Sequence, residues 1–180
     1  MMHPIPAAAI GTLLATCITT GCTTDPDPAQ LALTMQLTRQ TDSMIAEIDV
    51  TDTAALRHMA ALFAVERTAI EQRFKDTLSP HEAEVLGNYH RAMAERLPEL
   101  LAQRSGLRAR MDSAATRLHD LRHDMELGLM NSRKRSEALE AEKRWNVFLR
   151  QNLDSLNART QSLVRDRKAW RAAIDSLLRP

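Results

Sequence analysis

The sequence predicts an all-α protein, and three observations carry that expectation. Aromatic residues make up only 3% of the 180-residue chain, there are 5 glycines, and apolar residues recur with a seven-residue period over most of the C-terminal hundred positions. Strands and hairpin turns want aromatic and glycine residues, whereas a sustained heptad wants long helices. The expected architecture is a long antiparallel coiled-coil hairpin, about 80–127 and 133–178, with two shorter N-terminal helices packed at its base.

The first expected helix, about 29–48, follows Asp27-Pro28 and places Leu33, Leu37, Met44, Ile45 and Ile48 near one face. Asp49-Val50-Thr51-Asp52 breaks it. The second, about 53–78, carries Leu56, Met59, Ala60, Phe63, Ile70 and Phe74 at helical spacings. Ser79-Pro80-His81-Glu82 reads as a third helix start, with a capping serine, a proline in the first turn and a glutamate closing a capping box.

The third helix repeats Leu86, Met93, Leu100, Leu107, Ala114 and Leu121, interleaved with His90, Leu97, Arg104, Met111, Leu118 and Met125. Pro98 lacks the amide that would bond to the Ala94 carbonyl, so a kink is expected there. Gly128 suits the left-handed residue at a helix end, and Asn131 or Ser132 suits the cap of the next helix. The fourth helix repeats Leu149, Leu156, Leu163, Trp170 and Leu177, interleaved with Leu153, Thr160, Arg167 and Ile174.

Antiparallel partners about a fixed tip have residue numbers with a constant sum. Met111 with Leu149, Leu107 with Leu153, Leu97 with Leu163, His90 with Trp170 and Leu86 with Ile174 all give 260. On this register the part from about 106 to 150 is expected to be a bare two-helix arm.

Both cysteines, Cys17 and Cys22, fall in the first 22 residues, which leaves no disulfide framework or cysteine zinc site beyond them. Residues 6–20 form an uncharged apolar run too short to span a membrane and of signal-peptide size. Ile18-Thr19-Thr20-Gly21-Cys22, followed by a proline-rich stretch, resembles a bacterial lipoprotein signal. That resemblance implies a signal peptide over 1–21, lipidation of Cys22, a linker over 22–28 and a helical coiled-coil domain over 29–180. Thr23 stands where a sorting aspartate would hold a lipoprotein in the inner membrane, which favours the outer membrane facing the periplasm. With Cys22 ahead of a base-packed first helix, the base is expected near the membrane and the tip away from it.

A net charge of +1 excludes a strong field toward nucleic acid, and no basic stripe with interleaved aromatics is present. The excess of Arg over Lys is attributed to a GC-rich genome. His119, His123 and Glu126 share a helix face at spacings of four and three, but as a solvated polar face, and no metal or cofactor is expected. No phosphate loop, nucleophile elbow or catalytic triad order occurs, so neither an enzyme nor a small-molecule substrate is expected. Candidate partner contacts are the tip residues Leu129, Met130, Arg133, Lys134 and Arg135, together with Trp145. The expected partner is another protein or a second copy of the coiled coil.

The stretch from Leu118 to Gly128, followed by Glu137 to Lys143, resembles uncharacterised helical lipoproteins of Bacteroidota and related bacteria. The resemblance implies a coiled-coil lipoprotein and brings no activity. Leu78-Ser79-Pro80-His81-Glu82 before a helix is similar to the Spy/CpxP-type periplasmic chaperones, whose repeats are absent here. Together these imply a non-catalytic interaction module, with a helical chaperone or stress sensor using a methionine-rich surface as the alternative.

Overall fold

A computed structural model of the chain describes residues 27–50, 53–74 and 78–178. Helices α1 (Pro28–Val50), α2 (Thr53–Arg73), α3 (Pro80–His90), α4 (Leu97–Glu126) and α5 (Ser132–Leu178) account for nearly all of them, with a π-helical turn at Arg91–Arg96. There is no strand among the described residues. None of the described helices is long and apolar enough to cross a membrane.

The start signals act as their chemistry dictates. The Asp27 carboxylate accepts the Ala29 amide at 2.9 Å ahead of Pro28. Ser79 Oγ accepts the Glu82 amide at 3.3 Å while Glu82 returns a carboxylate to the Ser79 amide at 2.8 Å, a complete capping box. Hydrogen bonding from Ser79 to the Glu82 carboxylate, through its side chain first and its backbone amide second, holds that carboxyl below its ordinary range. The second helix ends at Arg73 and not near 78. Ser79 is extended, at φ −65° and ψ 157°, as its capping role requires, and Phe74 and Leu78 pack against the main apolar cluster.

Pro98 has a different consequence from a sharp kink. Ahead of it the chain widens into the π turn, in which the Leu97 amide reaches back to the Ala92 carbonyl. His90, Arg96 and Leu97 all keep right-handed helical dihedrals, so helix continues from 80 to 126. The extra residue in that turn rotates the segment before it. Tyr89 is therefore fully buried, and His90, the expected seam residue opposite Trp170, is exposed.

Contacts of the π turn and α4 with α5 step in opposite directions along the two helices, as Arg117 with Glu142 at 2.7 Å, Glu99 with Arg159 at 3.0 Å and Arg96 with Asp166 at 2.9 Å. The fifth helix is 47 residues, about 70 Å long.

The N-terminal helices do not sit together at the base. Helix α1 begins at the tip, where Gln30 Nε2 donates to Ser136 Oγ at 3.0 Å and Leu37 is buried in a cluster with Leu118, Leu121, Met125 and Leu139. It ends near mid-length, where Glu47 pairs with Arg150 at 2.6 Å and Asp49 with Arg108 at 3.0 Å. Helix α2 continues the same line to the base, with Phe63 edge-on to Tyr89 at 5.7 Å and Glu66 bonded to Tyr89 and Arg171. The pairs Gln30–Ser136, Thr41–Asn146 and Glu66–Arg171 hold an offset of 105 or 106, so α1 and α2 lie end to end beside α5. The stretch expected to be a bare arm is covered by α1.

The buried series shows why. Thr34, Leu37, Thr41, Met44 and Ile48 step by three and four, as do Leu56, Met59, Phe63 and Glu66. Eight residues separate Ile48 from Leu56 where a heptad would have seven, so the break adds one residue to a single stripe. Thr34 and Thr41 occupy core positions that the sequence suggested for Leu33 and Ile45, which are only half-buried. Both hydroxyls are satisfied. Thr34 donates to the Gln30 carbonyl at 2.8 Å, and Thr41 accepts from Asn146 at 3.1 Å.

At the other end of α1, the Arg104 guanidinium donates to the Ile48 carbonyl, and the Arg108 Nε–H is shared between the two Asp49 carboxylate oxygens at 3.0 and 3.2 Å. The last carbonyls of a helix lack intrahelical donors and carry partial negative charge, so two cations fix this end.

Candidate functional site

The tip is built by two capping motifs in succession. Gly128 takes φ 65°, the Leu129 amide bonds to the Asp124 carbonyl at 2.9 Å, and the Gly128 amide bonds to Met125 at 3.1 Å. This is a Schellman ending, and it needs the left-handed residue that glycine supplies without strain. Asn131 then caps α5, its side-chain oxygen accepting the Lys134 amide at 2.9 Å.

A Schellman turn usually folds its last apolar residue back onto the helix. Here the helix position to be covered is Asp124, and Leu129 stands 68% exposed with Leu127 at 53%. Met130 turns inward, half-buried against the tip cluster. Arg133 is outside, paired with Glu137 at 2.8 Å while its side chain stays 88% exposed. Lys134 is exposed.

Arg135 differs from its neighbours. It is buried to 3% exposure, so its guanidinium is not part of the tip's outer surface. Its position was legible, because Arg135 lies two heptads before Leu149 and so in phase with the α5 core.

Trp145 is half-buried on the flank of the rod. Its ring stacks on Phe148 at 4.9 Å and 24°, and the Arg117 guanidinium lies 5.7 Å from the ring centre while forking onto Glu142 at 2.7 and 3.1 Å. The indole N–H is buried with no hydrogen-bond partner among the described residues. Phe148 and Val147 form the exposed side of this patch. Beside it an open groove of about 370 Å³ runs between α1 and α5, lined by Gln40, Ser43, Met44 and Arg150 among others. On another face, Ala102, Gly106, Leu107, Ser155, Leu156 and their neighbours line an open groove of about 530 Å³ between α4 and α5.

The structure brings together one polar cluster that heptad periodicity did not indicate. Buried Glu66 accepts from the hydroxyl of Tyr89, the chain's single tyrosine, and pairs with Arg171, which reaches Asp175 at 3.0 Å. Burial pushes the Tyr89 phenol above its ordinary range, and nearby Arg167 pulls it back. Glu66 was discoverable as the next member of the α2 stripe after Phe63.

His119 and His123 are exposed, and Glu126 accepts from Arg122 at 2.7 Å. Among the described residues no three His, Cys, Asp or Glu side chains gather closely enough for a metal ion. Cys22 lies outside the described residues. Compared with known proteins, the chain matches no family model, no curated protein and no solved structure.

Proposed function

We propose that this chain is a bacterial envelope lipoprotein, anchored through Cys22 in the outer membrane and facing the periplasm, that works without catalysis by presenting a helical rod to a protein partner or a second copy of itself. In this reading 80–126 and Ser132–Leu178 form an antiparallel coiled-coil hairpin. The cross-pairs of Arg117, Glu99 and Arg96 with Glu142, Arg159 and Asp166 support it, since their residue numbers sum to 259, 258 and 262.

The observation that carries the function is the start of α1 at the tip. Six residues separate Cys22 from Pro28, and at about 3.5 Å each they reach at most about 21 Å whatever path they take. A lipid on Cys22 therefore tethers the tip end, which reverses the expectation that the base lies at the membrane. The base is then carried up to about 70 Å outward. A rod of this form suits a spacer whose flank, at Trp145, Val147 and Phe148, and whose far end meet the partner.

The methionines bear on the chaperone alternative. Met44, Met59, Met93, Met111 and Met125 are all buried, which removes most of the pliable surface that client binding would use.

Mass spectrometry of the mature chain, purified from a host that processes lipoproteins, tests the anchor. An acylated Cys22 at the N-terminus is expected, and an unmodified chain beginning elsewhere overturns the proposal. Photo-crosslinkers at Val147 and Phe148 test the contact surface. Adducts confined to these flank positions and absent from Gln103 are expected; equal capture at both positions contradicts a defined contact surface.

A further inference from the structure

We infer that the tip of the rod seats directly on the bilayer, through Leu127 and Leu129 flanked by Arg133 and Lys134, as a second lipid contact beside the acyl chain. This rests on the anchored reading above.

Three observations point to lipid as the occupant. First, Leu129 and Leu127 are 68% and 53% exposed at the end of the molecule, and the Schellman turn that would ordinarily tuck the last apolar residue away leaves it outside. Second, the exposed residues of 127–134 include two cations, Arg133 and Lys134, and no carboxylate, the arrangement that an apolar wedge with anionic headgroups around it would meet. Arg133 pairs with Glu137, but an exposed i,i+4 pair is weak in water, so its guanidinium is free to exchange that partner for a phosphate. Third, the N-terminal segment leaves α1 at this end, within reach of the same surface.

The opposing charges are Asp27 at the start of α1, Asp124, Glu126 and Glu137. Asp27 accepts the Ala29 amide at 2.9 Å, Glu126 is held by Arg122 at 2.7 Å and Glu137 by Arg133 at 2.8 Å, and Asp124 is half-buried.

The test uses the full lipidated chain reconstituted in vesicles of phosphatidylethanolamine with phosphatidylglycerol. The thiol of Cys22 is blocked by lipid, so Leu129→Cys provides a unique site for an environment-sensitive fluorophore, with Val65→Cys on α2 as the control. The label at position 129 should be quenched by nitroxide-bearing lipid and shielded several-fold from aqueous iodide, whereas the label at position 65 should be neither. The double variant Arg133→Glu with Lys134→Glu should reduce the lipid quenching several-fold on anionic vesicles and little on phosphatidylcholine alone.

A chain that floats with vesicles while position 129 stays as open to iodide as position 65 refutes the tip contact and leaves the anchor standing. Shielding without lipid quenching assigns the tip to a protein surface and also refutes it. A chain that does not float removes the anchored reading, and the tip contact with it.

Discussion

Replacing Ile48 with alanine tests whether α1 is docked on the rod as a structural member. The residue has no exposed surface and belongs to the main apolar cluster, while Val50, two residues on, is 83% exposed. Ile48→Ala removes three carbons from the cluster. At about 0.8 kcal/mol for each buried group, the transfer loss is about 2.4 kcal/mol. The space left behind adds to it, within the usual span of about 2 to 5 kcal/mol for such a truncation. Val50→Ala takes its two carbons from solvent and should cost no more than about 0.5 kcal/mol.

Urea unfolding followed by far-ultraviolet circular dichroism measures both. An unchanged denaturant slope with a lower midpoint is expected for Ile48→Ala, because α1 and α2 share their cluster with both long helices. If the two variants lose equal stability, α1 is not packed as described. A smaller slope with an unchanged midpoint would mean that α1 frays separately from the rest.

Two further outcomes follow from the polar contacts. Because the chain has a single tyrosine, its ultraviolet titration reports Tyr89 alone, and the transition should lie above 10.0. A phenol whose folded pKa is raised contributes stability that is complete below the unfolded value and is lost as pH rises toward the folded one, so alkaline destabilisation beginning near pH 10 should be smaller in Tyr89→Phe. A Tyr89 titration at the ordinary position would contradict its burial. Arg104→Ala should lower stability by about 1 to 3 kcal/mol, because it strips the donor from the Ile48 carbonyl at the end of α1. Amide hydrogen exchange should then quicken first over the last turn of α1, and uniform exchange along the chain would refute that assignment.

The all-helical class was legible because aromatics and glycines are scarce and the heptads long. So were the caps, since Ser79, Glu82, Gly128 and Asn131 act within a few residues of themselves. The path of the N-terminal third was harder to read. Thr34 and Thr41 hold core positions, so the apolar stripe of α1 looked shifted onto Leu33 and Ile45. Asp49-Val50-Thr51-Asp52 has the chemistry of a reversal, and only the eight-residue step from Ile48 to Leu56 reveals an interrupted straight line.

Tyr89 was passed over for a similar reason. The π turn ahead of Pro98 moves the seam by one residue, a change of phase that no residue upstream of it announces. At the candidate site, the exposure of Leu129 agrees with its place in the turn and that of Arg133 and Lys134 with their place in the first turn of α5, ahead of its heptad. Arg135 required the α5 heptad to be carried back two further repeats.

The most direct test of the account is the distance from the start of α1 to each end of α5. In the mature chain with Cys22→Ala, spin labels at Gln30→Cys with Ser136→Cys, and at Gln30→Cys with Lys168→Cys, measure both by double electron–electron resonance. The first pair should be at short range, since the native side chains are hydrogen-bonded at 3.0 Å. The second should be about 48 Å apart, from 32 residues of helix at about 1.5 Å each. Position 30 lying near 168 and far from 136 would put α1 at the base, and would contradict both the end-to-end path of α1 and α2 and the tethering of the tip.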